Sequence, residues 1–263
     1  MVIEINKDFF VALSSIAKRE SLSFFRNPLM ITDKGDHLFF DPVTIADLRI
    51  ERELTNYISN HFPDHAIYGE EEGKKGENAD CLWVIDPIDG TRSFISGIPV
   101  WGTLVGFLYK GLAIAGMMAQ PFTEELFYAV ADGSFLFHNN IEKRLVVRKT
   151  VNLSDATLFS TAPSLFDTRT RSSFFKLEEA TRLTRFGVDC YAFVMLAAGF
   201  IDLVVESSLK AHDIGGIIPI IENAGGVITT WSRKRPENGG HIIAAATKDL
   251  HEAAIQKLGW SDY

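Results

Sequence analysis

The sequence predicts a layered α/β protein made of two fused halves, and three observations carry that expectation. Helical and strand-like stretches interleave along 263 residues, a length sufficient for one large domain or two small ones. Near residues 148–152 the texture changes from consecutive strands to strands alternating with helices. No internal repeat or low-complexity tract interrupts either part. We therefore divide the chain into 1–147 and 148–263.

The elements follow from periodicity. Between Asn6 and Phe25, the residues Phe9, Leu13, Ile16, Ala17 and Phe24 recur near helical spacing. Lys7, Lys18, Arg19 and Glu20 fall mostly off that face, which predicts an amphipathic helix ended by Asn27-Pro28. Thr32–Phe40, with Lys34-Gly35-Asp36, reads as a mobile loop or hairpin. Asp41-Pro42-Val43-Thr44 opens a second helix that runs to about His61, and Thr44 with Asp47 has capping-box spacing. Ala66–Tyr68 is a short strand leading into Gly69-Glu70-Glu71-Glu72-Gly73 and a charged loop to Asp80. Cys81–Ile85 is an apolar strand. Val100–Leu108, Ala113–Gln120 and Glu125–Val130 are strands separated by Gly and Pro, and Gly133–Val147 continues in short strands and turns.

In the second half, strands are expected at Leu158–Thr161, Leu183–Phe186, Ile201–Glu206, Val227–Trp231 and His241–Ala245. Helices are expected at Arg169–Ala180, Cys190–Gly199, Asp213–Ala224 and Lys248–Leu258.

Composition narrows the function. The hydrophobic content of 46% and charged content of 23% are ordinary for a soluble globular chain. A formal charge of -8 speaks against nonspecific nucleic-acid binding as the main task and fits a protein that holds cations. The first residues lack the basic start and apolar core of a signal peptide, and no segment approaches the ~18 apolar residues of a membrane span, so a cytoplasmic protein with no membrane partner is expected. Cys81 and Cys190 sit in apolar contexts with no zinc-type spacing. A disulfide is open to them, but two buried thiols suit a reducing compartment better.

The chemistry concentrates where Cys81–Ile85 ends in Asp86 and Asp89, followed by Gly90-Thr91 and what reads as a helix entry. Asp-Pro and Asp-Gly are turn-forming pairs, so a turn alone would account for either acid. Both together, ahead of a helix start that offers backbone N–H groups, also suit a metal-phosphate site. Divalent ions need more oxygen ligands than two. Glu70 and Asp213 are candidates, although the first sits in an acidic loop and the second stands where an N-cap would. Asp47 belongs equally to its capping arrangement.

The run Trp83–Phe94 closely resembles the first signature of the inositol monophosphatase family, and His212-Asp213-Ile214-Gly215-Gly216 through Val227 resembles its second. Asp41–Asp47 and Gly69-Glu70-Glu71 match two further family motifs in the expected order, and the likeness runs from about residue 8 to residue 258. Phe94–Leu104, Gly116–Phe122 and Leu183–Ala192 bring the chain nearest to histidinol-phosphatases of this family. The resemblance implies an alternating αβαβα sandwich and a Mg²⁺-dependent phosphomonoesterase with two or three ions. It implies metal ligands at Glu70, Asp86, Asp89, Asp213 and the Ile88 carbonyl, with Glu70 also catalytic. Asp47 and Thr91 would activate the attacking water, and Gly90 and Thr91 amides would hold phosphate. Ile88, Asp89 and Asp213 would also border the substrate.

By the same resemblance, Arg185, Gly187, Asp189 and Glu206 would form the wall for the alcohol part of the substrate. Asp189 and Glu206 suit the cationic end of histidinol phosphate, although Asp189 also stands where it would cap the helix from Cys190. Two departures stand out: Arg92-Ser93 replaces a pair such as Thr-Asn found in inositol-specific members, and Ala211-His212 stands where relatives often carry an aromatic residue. His212 reads as a partly exposed loop residue. L-Histidinol phosphate is the expected substrate, with inositol-1-phosphate the alternative. A further alternative is a regulatory role on RNA or the transcription machinery, as in extragenic suppressors of this family. The resemblance also implies a homodimer, and Lys34-Gly35-Asp36 is expected to supply a lid.

Overall fold

The computed structural model describes residues 5–28, 31–33, 42–77 and 80–260. The expected lid at Lys34-Gly35-Asp36 and the residue Asp41 lie outside them. Helix α1 (Lys7–Leu22) starts at Asn6, whose Oδ1 accepts the Phe9 N–H at 3.1 Å. Helix α2 (Ile45–His61) begins only at Ile45, because Pro42–Thr44 (β2) pairs antiparallel with Ile31–Asp33 (β1). The expected capping box is present: Thr44 Oγ1 accepts the Ala46 N–H at 3.1 Å, and Asp47 Oδ2 accepts the Thr44 N–H at 2.8 Å.

The next elements build an eight-stranded sheet. They are β3 (Ala66–Gly69), β4 (Gly73–Lys75), β5 (Cys81–Asp89), the short α3 (Thr91–Ile95), β6 (Gly102–Tyr109), β7 (Leu112–Gln120), β8 (Glu125–Val130), β9 (Gly133–His138) and β10 (Ile141–Arg144). The strand order is β10-β9-β8-β7-β6-β5-β3-β4, antiparallel except between β3 and β5. Strand β4 falls inside the expected charged loop. Pairing of Gly69 with Gly73 closes a tight hairpin there, and backbone pairing needs no apolar side chains.

The remaining elements are β11 (Thr157–Ser160), α4 (Thr168–Glu178), β12 (Leu183–Phe186), α5 (Tyr191–Ala197), β13 (Leu203–Leu209), α6 (Ala211–Gly215), α7 (Ile217–Asn223), β14 (Val227–Thr230), β15 (Gly240–Ala245) and α8 (Lys248–Leu258). Their strands form a second sheet in the order β12-β11-β13-β15-β14. The helix expected over Asp213–Ala224 is two helices. Pro219 has no N–H to offer the Gly215 carbonyl four residues back, and the helix resets at Gly216.

Strand alternation explains the layers. Trp83 and Ile85 face one core with Phe10, Leu13, Ile50 and Leu54 of α1 and α2, whereas Val84 between them faces the opposite core with Ile214, Ile217 and Ile221. Val204, Ile242 and Ala244 join that same central core from the second sheet. Their neighbours Leu203, Val205, Ile243 and Ala245 turn outward onto Phe174, Leu177, Leu250 and Ile255 of α4 and α8. The result is an αβαβα sandwich whose central helical layer, α5 to α7, is shared by both sheets. Cys81 and Cys190 are buried free thiols. Among the described residues no helix is long and apolar enough to cross a membrane.

Glycine lets the central layer approach the first sheet closely. A Cβ at Gly106 would lie 2.6 Å from the Gly216 nitrogen, and one at Gly116 would lie 2.7 Å from the Gly216 Cα. The α6–α7 junction therefore rests backbone to backbone on β6 and β7, which sets the height of Asp213 above the sheet. Gly106→Ala is expected to lose about 1–3 kcal/mol through overpacking, visible as a fall of several degrees in the thermal midpoint.

Candidate active site

Residues three apart on a regular strand point to opposite faces of the sheet, so Asp86 and Asp89 should diverge. They do not, because β5 carries an extra residue between them. Asp86 pairs with Leu104 and Asp89 with Gly102, three steps on β5 against two on β6. The bulge also accommodates Pro87 inside a strand, and the Thr103 hydroxyl donates to its carbonyl at 2.8 Å. Strand β5 thus runs on through the acids rather than ending before them.

Asp213 comes from the other half of the chain. It is not the N-cap of α6 but its third residue, with Oδ2 accepting the Lys210 N–H at 2.7 Å. Asp47 uses the same device on α2. One carboxylate oxygen from each of Asp86, Asp89 and Asp213 lies within 4.8 Å of the other two. Glu70, in the β3–β4 turn, is held by its N–H on the Ile85 carbonyl at 3.1 Å. All four acids line one cavity of about 340 Å³, shared with Ile88, Gly90, Thr91, Asp189 and Glu206.

Two contacts tie the halves together at this cavity. The Cys190 N–H donates to Asp89 Oδ2 at 2.7 Å, and the Ser93 hydroxyl donates to Asp189 Oδ2 at 2.5 Å. Asp189 therefore does not cap α5; its carboxylate reaches back to the first half. Gly90 has φ 84°, and a Cβ there would sit 2.8 Å from Asp189 Oδ2, so only glycine fits the turn beneath that carboxylate. Glu206 is buried, its Oε1 accepting the Thr161 N–H at 2.7 Å and the Thr161 hydroxyl at 3.0 Å.

Crowding shifts the acids. Burial, then Glu70, Asp89 and Asp213, hold Asp86 well above the usual carboxylate range. Asp89 is pushed up to about 8 by burial, then by Asp189 and Asp213. Burial raises Glu206 to about 8 and Asp47 to about 6, and it lifts Asp189 against the opposing pull of Ser93 and Arg92. Asp47 Oδ1 and Asp86 Oδ1 are buried without a hydrogen-bond partner, in residues 1% and 2% exposed. Three converging carboxylates, one of them with an orphaned oxygen, are a donor set that fits a hard divalent cation.

Other expected site residues stand differently. The Thr91 hydroxyl donates to the Ile88 carbonyl at 3.0 Å rather than to Asp47, whose Oδ2 is taken by the N–H and hydroxyl of Thr44. Arg185 does not reach this cavity. It shares a strand face with Leu183, two residues away, and both line a separate apolar cleft with Tyr191, Met195 and Phe200. Gly187 is an exposed turn residue, φ 81°, whose N–H donates to the Thr161 carbonyl at 2.9 Å. His212 is 3% exposed rather than a surface loop residue, with Nε2 3.3 Å from Asp213 Oδ1.

The sequence reading missed part of the wall. Thr161, Leu165 and Ser207–Lys210 line the cavity, the last through a second bulge, between Glu206 and Leu209 of β13. Ser208 there has φ 62°. The polar pair Ser207-Ser208 interrupting an apolar strand was the available signal.

Residues 7–261 match the family model described as the inositol monophosphatase family. The chain is 39% identical over 260 residues to the Arabidopsis thaliana protein named bifunctional phosphatase IMPL2, chloroplastic, covering 95% of this chain and 73% of that one. It is 28% identical to a histidinol-phosphatase of Chlorobaculum parvum, with 94% of both chains covered. An inositol monophosphatase structure from Zymomonas mobilis superposes with a TM-score of 0.85 at 34% identity, covering 96% of this chain and 97% of that one. With the acids gathered on this fold, the chain belongs to the inositol monophosphatase family and is a phosphoric monoester hydrolase.

Proposed function

We propose that the protein hydrolyses L-histidinol phosphate. The observation that carries this reading is the charge of the cavity wall. Six carboxylates line it, Glu70, Asp86, Asp89, Asp189, Glu206 and Asp213, against Arg92 and Lys210. Four of the six serve metal, which leaves Asp189 and Glu206. A neutral polyol would bring no positive charge to these two, whereas an amino-alcohol phosphate brings an ammonium that adds to the pull of Arg92 on Asp189. The histidinol-phosphatase name of a relative supports the same choice.

Glu70, Asp86, Asp89, Asp213 and the Ile88 carbonyl would hold two or three Mg²⁺ ions. Bound Mg²⁺ supplies Lewis-acid stabilisation of the phosphate oxygens and of the departing alkoxide. The protein's own groups do the rest. Asp47 Oδ1, unpartnered and with a carboxyl near 6, is suited to accept a proton from the attacking water. Thr91 fixes the Ile88 carbonyl through its hydroxyl. The N–H groups of Gly90 and Thr91, at a helix start where no intrahelical acceptor exists, face the phosphate. Asp189, fixed by Ser93, receives the ammonium. Arg185 and Gly187 have no part in this wall.

The same reading divides the chain at residue 147, with the first half supplying most ligands and the second Asp213 and the specificity wall. A cytoplasmic location is supported by the two unpaired thiols. A homodimer is supported by the exposed Leu183, Phe186 and Phe200 beside the apolar cleft. The name of the Zymomonas mobilis neighbour supports the alternative inositol-1-phosphate reading in the same way, but no feature of the cavity wall favours that reading or the regulatory one.

Asp189→Asn keeps the shape and suits the φ of 44°. It should raise KM for histidinol phosphate roughly 10- to 100-fold, corresponding to about 1.4–2.7 kcal/mol, and leave inositol-1-phosphate turnover within about twofold. Equal loss on both substrates, in steady-state phosphate release, would refute the assignment. Asp47→Asn should lower kcat about 10²- to 10⁴-fold with little change in KM.

The raised carboxyls also set a pH dependence. Without metal, Asp89 holds its proton in the folded state up to about pH 8, and burial beside Glu70 and Asp89 shifts Asp86 in the same direction, whereas in the unfolded chain both release their protons near 3.8. The metal-free fold thus loses stability as pH rises through that window. Mg²⁺ displaces those protons, so its stabilising effect grows with pH. Thermal midpoints should gain several degrees more from millimolar Mg²⁺ at pH 8 than at pH 6.

A further inference from the structure

Glu51 is a carboxylate with no place in the reaction described above, yet it is only 1% exposed. It lies one helical turn after Asp47 on the buried face of α2. Both of its oxygens are engaged by consecutive backbone amides. Oε2 accepts the Glu71 N–H at 2.8 Å and Oε1 accepts the Glu72 N–H at 2.7 Å. With the Glu70 N–H on the Ile85 carbonyl, every amide of the three-residue β3–β4 turn is partnered, two of the three by this one side chain. Arg52, the next residue of α2, reaches Glu72 from the outside at 3.7 Å.

Gly69 completes the arrangement. A Cβ at this position would overlap the Glu51 carboxylate, although the glycine has no positive φ to explain its presence. The missing side chain is therefore a seat for Glu51. A buried carboxylate is costly unless it is hydrogen-bonded, and here the compensation comes from the backbone that presents Glu70 to the cavity.

We propose that Glu51 is a positioning residue for the metal site: it clamps the turn that carries Glu70 and fixes it relative to Asp47, one turn earlier on the same helix. The contact resembles the outer hydrogen bonds that orient metal-binding side chains. The inference rests on the reading that Glu70 holds metal.

The experiment compares wild type with Glu51→Gln, Gly69→Ala and Glu70→Gln, reading Mg²⁺ binding by calorimetry and Mg²⁺ activation of phosphate release. Glu51→Gln turns one acceptor into a donor facing a backbone N–H. Gly69→Ala keeps the Glu51 side chain but takes the seat of its carboxylate. Each should raise the Mg²⁺ dissociation constant roughly 10- to 100-fold, and saturating Mg²⁺ should restore kcat to within about threefold. Unchanged Mg²⁺ affinity with a lowered thermal midpoint would make Glu51 a stabilising residue only and overturn the proposal. If Glu70→Gln does not weaken Mg²⁺ binding, the metal reading itself fails. Should the variants not fold, hydrogen exchange on the wild-type protein decides: the clamp requires slow exchange at the Glu71 and Glu72 amides with Mg²⁺ bound, and fast exchange there refutes it.

Discussion

The mutual repulsion of Asp86, Asp89 and Asp213 governs the architecture. Three carboxylates with oxygens within 4.8 Å of one another, once ionised together, would separate on any pliant backbone. Each is instead mounted on a part that cannot yield. Asp86 and Asp89 flank a bulge in a strand with neighbours on both sides, and Asp213 sits on a helix pressed against that sheet through glycine. The three-layer core behind them opposes the repulsion, and a bound cation removes it. Stability and activity thus meet in the same few residues, as expected where a scaffold sustains locally unfavourable charge.

Much of this was legible in the amino-acid order. Alternation and helical spacing located nearly all regular elements, and the acids stood out as a group once the family motifs were seen together. What the sequence concealed depends on pairing between strands. Only Pro87 hints locally at the three-against-two register that brings Asp86 and Asp89 to one side, since the register itself is defined by Leu104 and Gly102 on the neighbouring strand. The same holds for the bulge that turns Ser207–Lys210 into the cavity. The family resemblance puts Arg185 in the substrate wall, whereas the strand's alternation sends it with Leu183 to another cleft.

Buried polar residues were the other blind spot. Glu51 reads on a helix as one more surface charge, and only the three-dimensional approach of the β3–β4 turn makes it internal. His212 was expected on a loop and is enclosed beside Asp213 and Tyr68. Glu51, hydrophilic by type, becomes interior because a neighbouring backbone satisfies it.

The paired bonds from Cys190 to Asp89 and from Ser93 to Asp189 have a consequence for recombination. Each half of the molecule supplies one donor and one acceptor, and the two bonds run in opposite directions across the seam. Neither half therefore carries a selective pocket by itself. A hybrid that joins the first half of one phosphatase to the second half of another inherits a working seam only when residues 89–93 and 189–190 come from parents with matching donor and acceptor groups. On the proposed role of Asp189, substrate preference would pass in this chain as a matched pair of short segments about a hundred residues apart, rather than as a domain.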